Sequence, residues 1–224
     1  MLVDNINNDD EVVGKHSLPS NALRLIIESI KNTYEDFIKT LETLENKELN
    51  EDGFTQIFVK QNIVHLQKLN FSSMYIGVQY RDIYHKTKGI PDIYYSFTEQ
   101  GKDYEPTFIM EAKRLPSPSK KREKEYVFGK TPLGNPNGGI ERFKLGKHGL
   151  GLKECGLLAF IEKNDNEYWL NQVNSWIIEI SENDSSWNPD EILFKNDVNF
   201  KYFHSNVLRV NSELKLYHFW IKIK

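Results

Sequence analysis

The chain has 224 residues, 39% of them hydrophobic, and its 13 Phe, 11 Tyr and 4 Trp supply enough bulky apolar material for one generous domain with a buried core, which excludes disorder over most of the length. A formal charge of −3 argues against a protein that coats nucleic acid by bulk charge. No stretch approaches the roughly 18 continuous apolar residues of a membrane span, and the acidic N-terminus has no apolar signal core. The single cysteine, Cys155, leaves no disulfide framework or cysteine zinc site and fits a reducing cytoplasm.

In chain order, residues 1–19 read as a flexible arm. Ser20 or Asn21 can cap a long helix over 22–44, whose apolar positions Leu23, Ile27, Ile30, Tyr34, Phe37, Leu41 and Leu44 alternate by four and three. Such a stripe wants a helical partner, in the chain or in a second copy, so residues 20–50 are set apart as a packing or homodimerisation helix. ENKELNEDG breaks the pattern. A second helix follows over 51–69, with Phe54, Ile57, Phe58, Ile63, Leu66 and Leu69 inward.

Three strand-like segments come next: 73–80 (SMYIGVQY), 90–98 (IPDIYYSFT) and 107–114 (TFIMEAKR). Residues 115–137 hold four prolines and a basic run, which makes them a loop. GGIERFKLGKHG opens on a glycine pair and suits a short helix, CGLLAFIE (155–162) a buried strand, and NEYWLNQVNSWIIEIS an amphipathic helix. Two strands near 200–210 and 214–223 close the sequence as a hairpin. The order helix, strand, strand, strand, helix, strand from 51 to 162 predicts a mixed α/β fold, a sheet covered by helices, with 51–224 as one domain.

Charge is segregated. From Lys113 to Lys153, eleven basic residues face three acids, a local +8, so with −3 overall the remainder carries −11. A basic surface on an acidic body suits a nucleic-acid enzyme, whose phosphate contacts need one face only. A solvated charged loop fits the same pattern.

Two acids stand in apolar surroundings. Asp92 follows Gly89-Ile90-Pro91 at the start of an aromatic strand, and Glu111 follows Phe108-Ile109-Met110. Strand side chains alternate, so Glu111 and Lys113 share a face with Ala112 opposite. Two carboxylates on adjacent strands, with the Ala112 carbonyl as a third oxygen, suit Mg²⁺, which takes one or two carboxylates plus water and phosphate; Mn²⁺ is expected to substitute. The chemistry is phosphodiester hydrolysis: the ion polarises the phosphate and lowers the pKa of a bound water, while Lys113 orients that water or neutralises developing charge. Chance alone gives roughly three acidic-x-Lys tripeptides in a chain of this composition. Three are present, at Glu45, Glu111 and Glu213. Only Glu111 lies in an apolar strand preceded by a Pro-Asp strand, and the bland alternative for it is an edge-strand salt bridge.

GIPDIYYSF followed by TFIMEAKRL resembles the PD-(D/E)xK nuclease superfamily, the restriction-endonuclease-like fold, over residues 51–163. The resemblance implies an αβββαβ core, Mg²⁺-dependent cleavage of DNA, less often RNA, and a catalytic set of Asp92, Glu111 and Lys113. It also implies a Glu on the helix before the first strand. Glu51 fills that place, with Asp52 weaker, although Glu51 equally complements the helix dipole. On the following helix it points to Arg142 and Lys147 for phosphate contact, joined by Lys120, Lys121 and Arg122 of the basic loop, with Phe143 packing inward and the Gly138 and Gly139 N–H groups free for a phosphate. A solvated helix face is the alternative. The setting implied is restriction, phage defence or a mobile element.

The six histidines lack metal-ligand spacing, His204 and His218 read as satisfied strand residues, and Cys155 reads as core. A catalytically silent nucleic-acid-binding or assembly subunit on the same fold is the rival from another class.

Overall fold

The computed structural model describes residues 21–44, 48–195 and 202–223; the arm expected over 1–19 and the Ser20 cap lie outside them. The first helix, α1 (Ala22–Thr43), packs on α2 (Glu51–Lys68). The break between them is set by Asn50, whose side chain accepts from Gly53 N at 2.9 Å, while Glu51 and Asp52 sit in the first turn where the helix dipole favours acids. The α1 stripe finds its partner within the chain: Ile26, Ile30 and Phe37 are fully buried, and the Phe37 ring meets Phe58 and Phe160 at 6.1 and 5.6 Å. The same face carries Ser29 and Thr33, which hydropathy does not reveal. Asn62 of α2 donates to both hydroxyls and accepts from Tyr95 Oη, so every buried polar group there is paired.

The strands are β1 (Met74–Val78), β2 (Ile93–Phe97), β3 (Phe108–Leu115), β4 (Glu154–Ile161), β5 (Phe194–Lys195), β6 (Tyr202–Leu208) and β7 (Glu213–Lys222). They form one sheet in the order β1-β2-β3-β4-β7-β6-β5, antiparallel except for the central β3–β4 and β4–β7 pairs. The mixed α/β class is as expected. The terminal hairpin forms, but β7 inserts beside β4 in the sheet interior, and the two-residue β5 was not expected. β7 has a continuous buried run from Leu216 to Ile221, the pattern of a strand covered on both faces.

Helices cover both sides. On one face α1 and α2 pack over Phe108, Met110, Ala112 and Leu158; on the other, α3 (Gly139–Lys144) and α4 (Asn166–Asn183) cover Ile109, Leu115, Leu157 and Trp220. Residues 116–138 form the expected loop, with one 3-10 turn at Lys120–Arg122. Strand β3 is third in the sheet, so an edge-strand salt bridge is excluded for Glu111 and Lys113, which are 1% and 5% exposed.

Candidate functional site

The site lies where β2 and β3 part. Their last pair is Ile93 with Met110; the register extended by two would set Pro91 against Ala112. Proline has no N–H for a ladder, and the preceding segment turns to β1 instead, Tyr80 N donating to the Pro91 carbonyl and Gln79 N to that of Asp92. The Ala112 N–H is left to a side chain: Asp92 Oδ2 accepts it at 2.7 Å. This local failure of sheet pairing brings Asp92 to β3.

Across the strand, Lys113 Nζ donates to Glu111 Oε1 at 2.7 Å and to the Ala112 carbonyl at 2.8 Å, and reaches Glu51 Oε1 of α2 at 3.4 Å. Glu111 Oε1 also pairs with Arg142 of α3. Asp92, Glu111, Lys113, Glu51 and Arg142, drawn from three elements and the segment before β2, therefore converge. Behind them runs a polar chain: Arg142 donates to Asn137 Oδ1, Asn137 to Glu125 at 2.7 Å, and Glu125 is gripped by Arg122.

Burial, reinforced by the Glu111 charge, pushes the Asp92 carboxyl up to about 8. Burial acts on Glu111 in the same direction, but Lys113, His148 and Arg142 outweigh it and hold that carboxyl well below its usual range. Burial alone would depress Lys113; Glu111, Glu51 and Asp92 raise it instead. Glu51 is raised by burial against the pull of Lys113.

These residues fit a hard divalent cation. Asp92 Oδ1 makes no hydrogen bond among the described residues, Glu111 Oε2 is buried and accepts none, and a carboxyl driven up beside a second carboxylate is a donor that a cation would ionise. Among the described residues no three His, Cys, Asp or Glu side chains converge as a ready-made cage, so the protein would supply two carboxylates and the Ala112 oxygen, which now accepts from Lys113.

The cations expected from sequence to meet nucleic acid differ in the partners they have within the chain. Lys113, Arg114, Arg122, Lys124, Arg142 and Lys144 all pair with carboxylates, five of which (Glu51, Glu111, Glu162, Glu179, Glu191) come from outside the basic window. Charge counted along the chain therefore overstates the basic surface. Among the described residues Lys120 and Lys121 remain exposed without an ion pair, while Arg122 folds onto Glu125. Lys147 Nζ reaches the Pro136 carbonyl at 3.4 Å and makes no contact with the acids. Gly138 and Gly139 offer nothing to a phosphate, because their N–H groups go to Glu141 Oε2 and the Glu125 carbonyl. They are glycines for close packing: a Cβ on Gly138 would lie 2.2 Å from Phe128 Cα. Phe143 is fully buried, as expected.

Sequence reading missed Glu125, Asn137 and His148, whose Nε2 lies 3.3 Å from Glu111 Oε2. Of the histidines it weighed, His218 is wholly enclosed between Tyr126 Oη and Ser205 Oγ. Cys155 is buried and its thiol is pushed up to about 12 by burial. No helix among the described residues is long and apolar enough to cross a membrane. Comparison with protein-family models, curated proteins and solved structures finds no match to this chain.

Proposed function

We propose that the chain is a metal-dependent nuclease that hydrolyses phosphodiester bonds, with DNA favoured over RNA by the resemblance of its GIPDIYYSF and TFIMEAKRL segments to the PD-(D/E)xK superfamily. The run α2-β1-β2-β3-α3-β4 has the element order which that restriction-endonuclease-like fold requires. The observation that carries the reading is the convergence of Asp92, Glu111 and Lys113 at the β2–β3 fork, with the Asp92 carboxylate on the Ala112 N–H.

When bound, Mg²⁺ or Mn²⁺ would polarise the scissile phosphate and acidify a water. Asp92, Glu111 and the Ala112 carbonyl would hold it. Lys113, kept protonated by three acids, holds the nucleophilic water or offsets charge developing on the phosphate. Arg142 brings a second cation to the same carboxylate. Exposed Lys120 and Lys121 would follow the backbone of a bound strand.

The reading is tested on plasmid, single-stranded DNA and RNA with Mg²⁺, Mn²⁺ and EDTA. Metal-dependent cutting should fall by about 10²–10³-fold in Lys113→Ala and in Asp92→Ala; variants that cleave like wild type would sink it. A second reading, a catalytically silent binding or assembly subunit, is favoured by one observation: Glu111 is already compensated by Lys113 and Arg142. Calorimetric uptake of Mn²⁺ no greater than that of an Asp92→Ala/Glu111→Ala control would select it.

A further inference from the structure

His148 follows α3 in the segment GKHG and lies against Glu111. Its side chain is fully buried, yet among the described residues neither ring nitrogen makes a hydrogen bond. Buried polar atoms are rarely left so. Glu111 Oε2 is buried and unpaired as well, and it is the atom that His148 Nε2 faces at 3.3 Å. Two lone pairs would repel at that separation, whereas an Nε2–H aimed at a carboxylate oxygen needs only a few tenths of an ångström to become a charge-assisted hydrogen bond.

The ring is held there with care. Phe143 packs edge-on to it with centroids 5.5 Å apart. The Arg209 guanidinium, on the turn between β6 and β7, donates to the carbonyls of Phe143, His148, Gly149 and Leu152, fixing the backbone on both sides of the ring. Gly89, in the segment that leads to Asp92, leaves the room: a Cβ there would stand 2.7 Å from His148 Nδ1 and 2.2 Å from the Lys147 carbonyl. The strand entry that delivers Asp92 thus rests on the loop that delivers His148.

We propose that His148 is a positioning residue for the acidic centre: its Nε2–H holds Glu111 Oε2 and fixes the plane of the carboxylate, with Arg209 as the clamp on its backbone. The metal arm of the test rests on the nuclease reading; the spectroscopic arm does not. Long-range ¹H–¹⁵N NMR of the full chain in EDTA, with His148 assigned through His148→Gln, should find the proton on Nε2, and the Nε2 signal should move in Glu111→Gln. A deprotonated Nε2, or one indifferent to Glu111→Gln, overturns the proposal. In calorimetry with Mn²⁺ alone, His148→Leu should weaken binding roughly 10–100-fold, the usual cost of losing a partner of a metal ligand, and His148→Gln, which keeps a donor in place of Nε2, should restore most of it. Wild-type affinity in a folded His148→Leu also overturns it. If wild type takes up no Mn²⁺, the nuclease reading fails while the NMR arm still decides the role of His148.

Discussion

The α3 face of the sheet holds two buried Lys–Glu pairs of opposite character. Lys144 Nζ binds both oxygens of Glu191 at 2.6 and 2.9 Å and spends its third proton on the Leu208 carbonyl, while Glu191 also accepts from Asn188 N. One cation meets one anion and nothing is left over. Lys113 and Glu111 sit among further acids, Asp92 and Glu51, with Asp92 Oδ1 left without a hydrogen bond among the described residues and Glu51 still 29% exposed. The first pair is closed and fastens α3 to the segment before β5. The second is open and oversupplied with oxygen, the condition under which a cation or a polar ligand has something to gain.

The sharpest way to break this contrast is at the closed pair. Lys144→Met strands the Glu191 carboxylate in the core and should cost about 3–5 kcal/mol in urea denaturation, whereas Lys144→Met/Glu191→Leu should recover most of it. A smaller effect comes from the other closed cluster, where Trp220 donates to Tyr126 Oη and His218 bridges Tyr126 and Ser205. Burial pushes His218 down to about 3 from its ordinary 6.5. The folded protein then binds the proton more weakly than the unfolded chain, so this contribution is complete above pH 6.5 and declines as pH falls towards 3. Between pH 6.5 and 4.5 the loss should amount to about 2 kcal/mol, read as the extra loss of wild type relative to His218→Gln. The smallest effect belongs to the open cluster and has the opposite sign. Asp92→Asn keeps an acceptor for the Ala112 N–H and removes a carboxyl that burial and Glu111 disfavour. In EDTA at pH 8 it should stabilise by roughly 0.5–2 kcal/mol, and a destabilised variant would mean that the acids are structural.

How far all this was legible follows from the range of each signal. Asp92, Glu111 and Lys113 stand out in sequence because ionisable side chains interrupt apolar strands, a local anomaly. The α2 start at Glu51 was legible from Asn50-Glu51-Asp52, also local. His148 has no such mark: it sits in a glycine-flanked loop, and only the α3–β4 turn brings it to Glu111. Ser29 and Thr33 carry no sign of burial in the sequence, because Asn62 supplies their partners from another helix. The basic window misled because its compensating carboxylates lie elsewhere in the chain. The interior place of β7 was available in principle, since LKLYHFWIKI is apolar nearly throughout where a surface hairpin would alternate.

Strand β4 also sets how the molecule can fold. On one side β1, β2 and β3 are consecutive antiparallel neighbours, and on the other β5, β6 and β7 are too. Each half can assemble from contacts close in sequence. They join only through β4, by two parallel pairings such as Met110 with Gly156 and Glu154 with Lys215, and loop closure must precede both. The slow event in refolding is therefore the capture of this one strand by two ready-made meanders, on the millisecond-to-second scale of folds dominated by non-local pairing, and the fork that carries Asp92 and Glu111 gains its second wall only at that step.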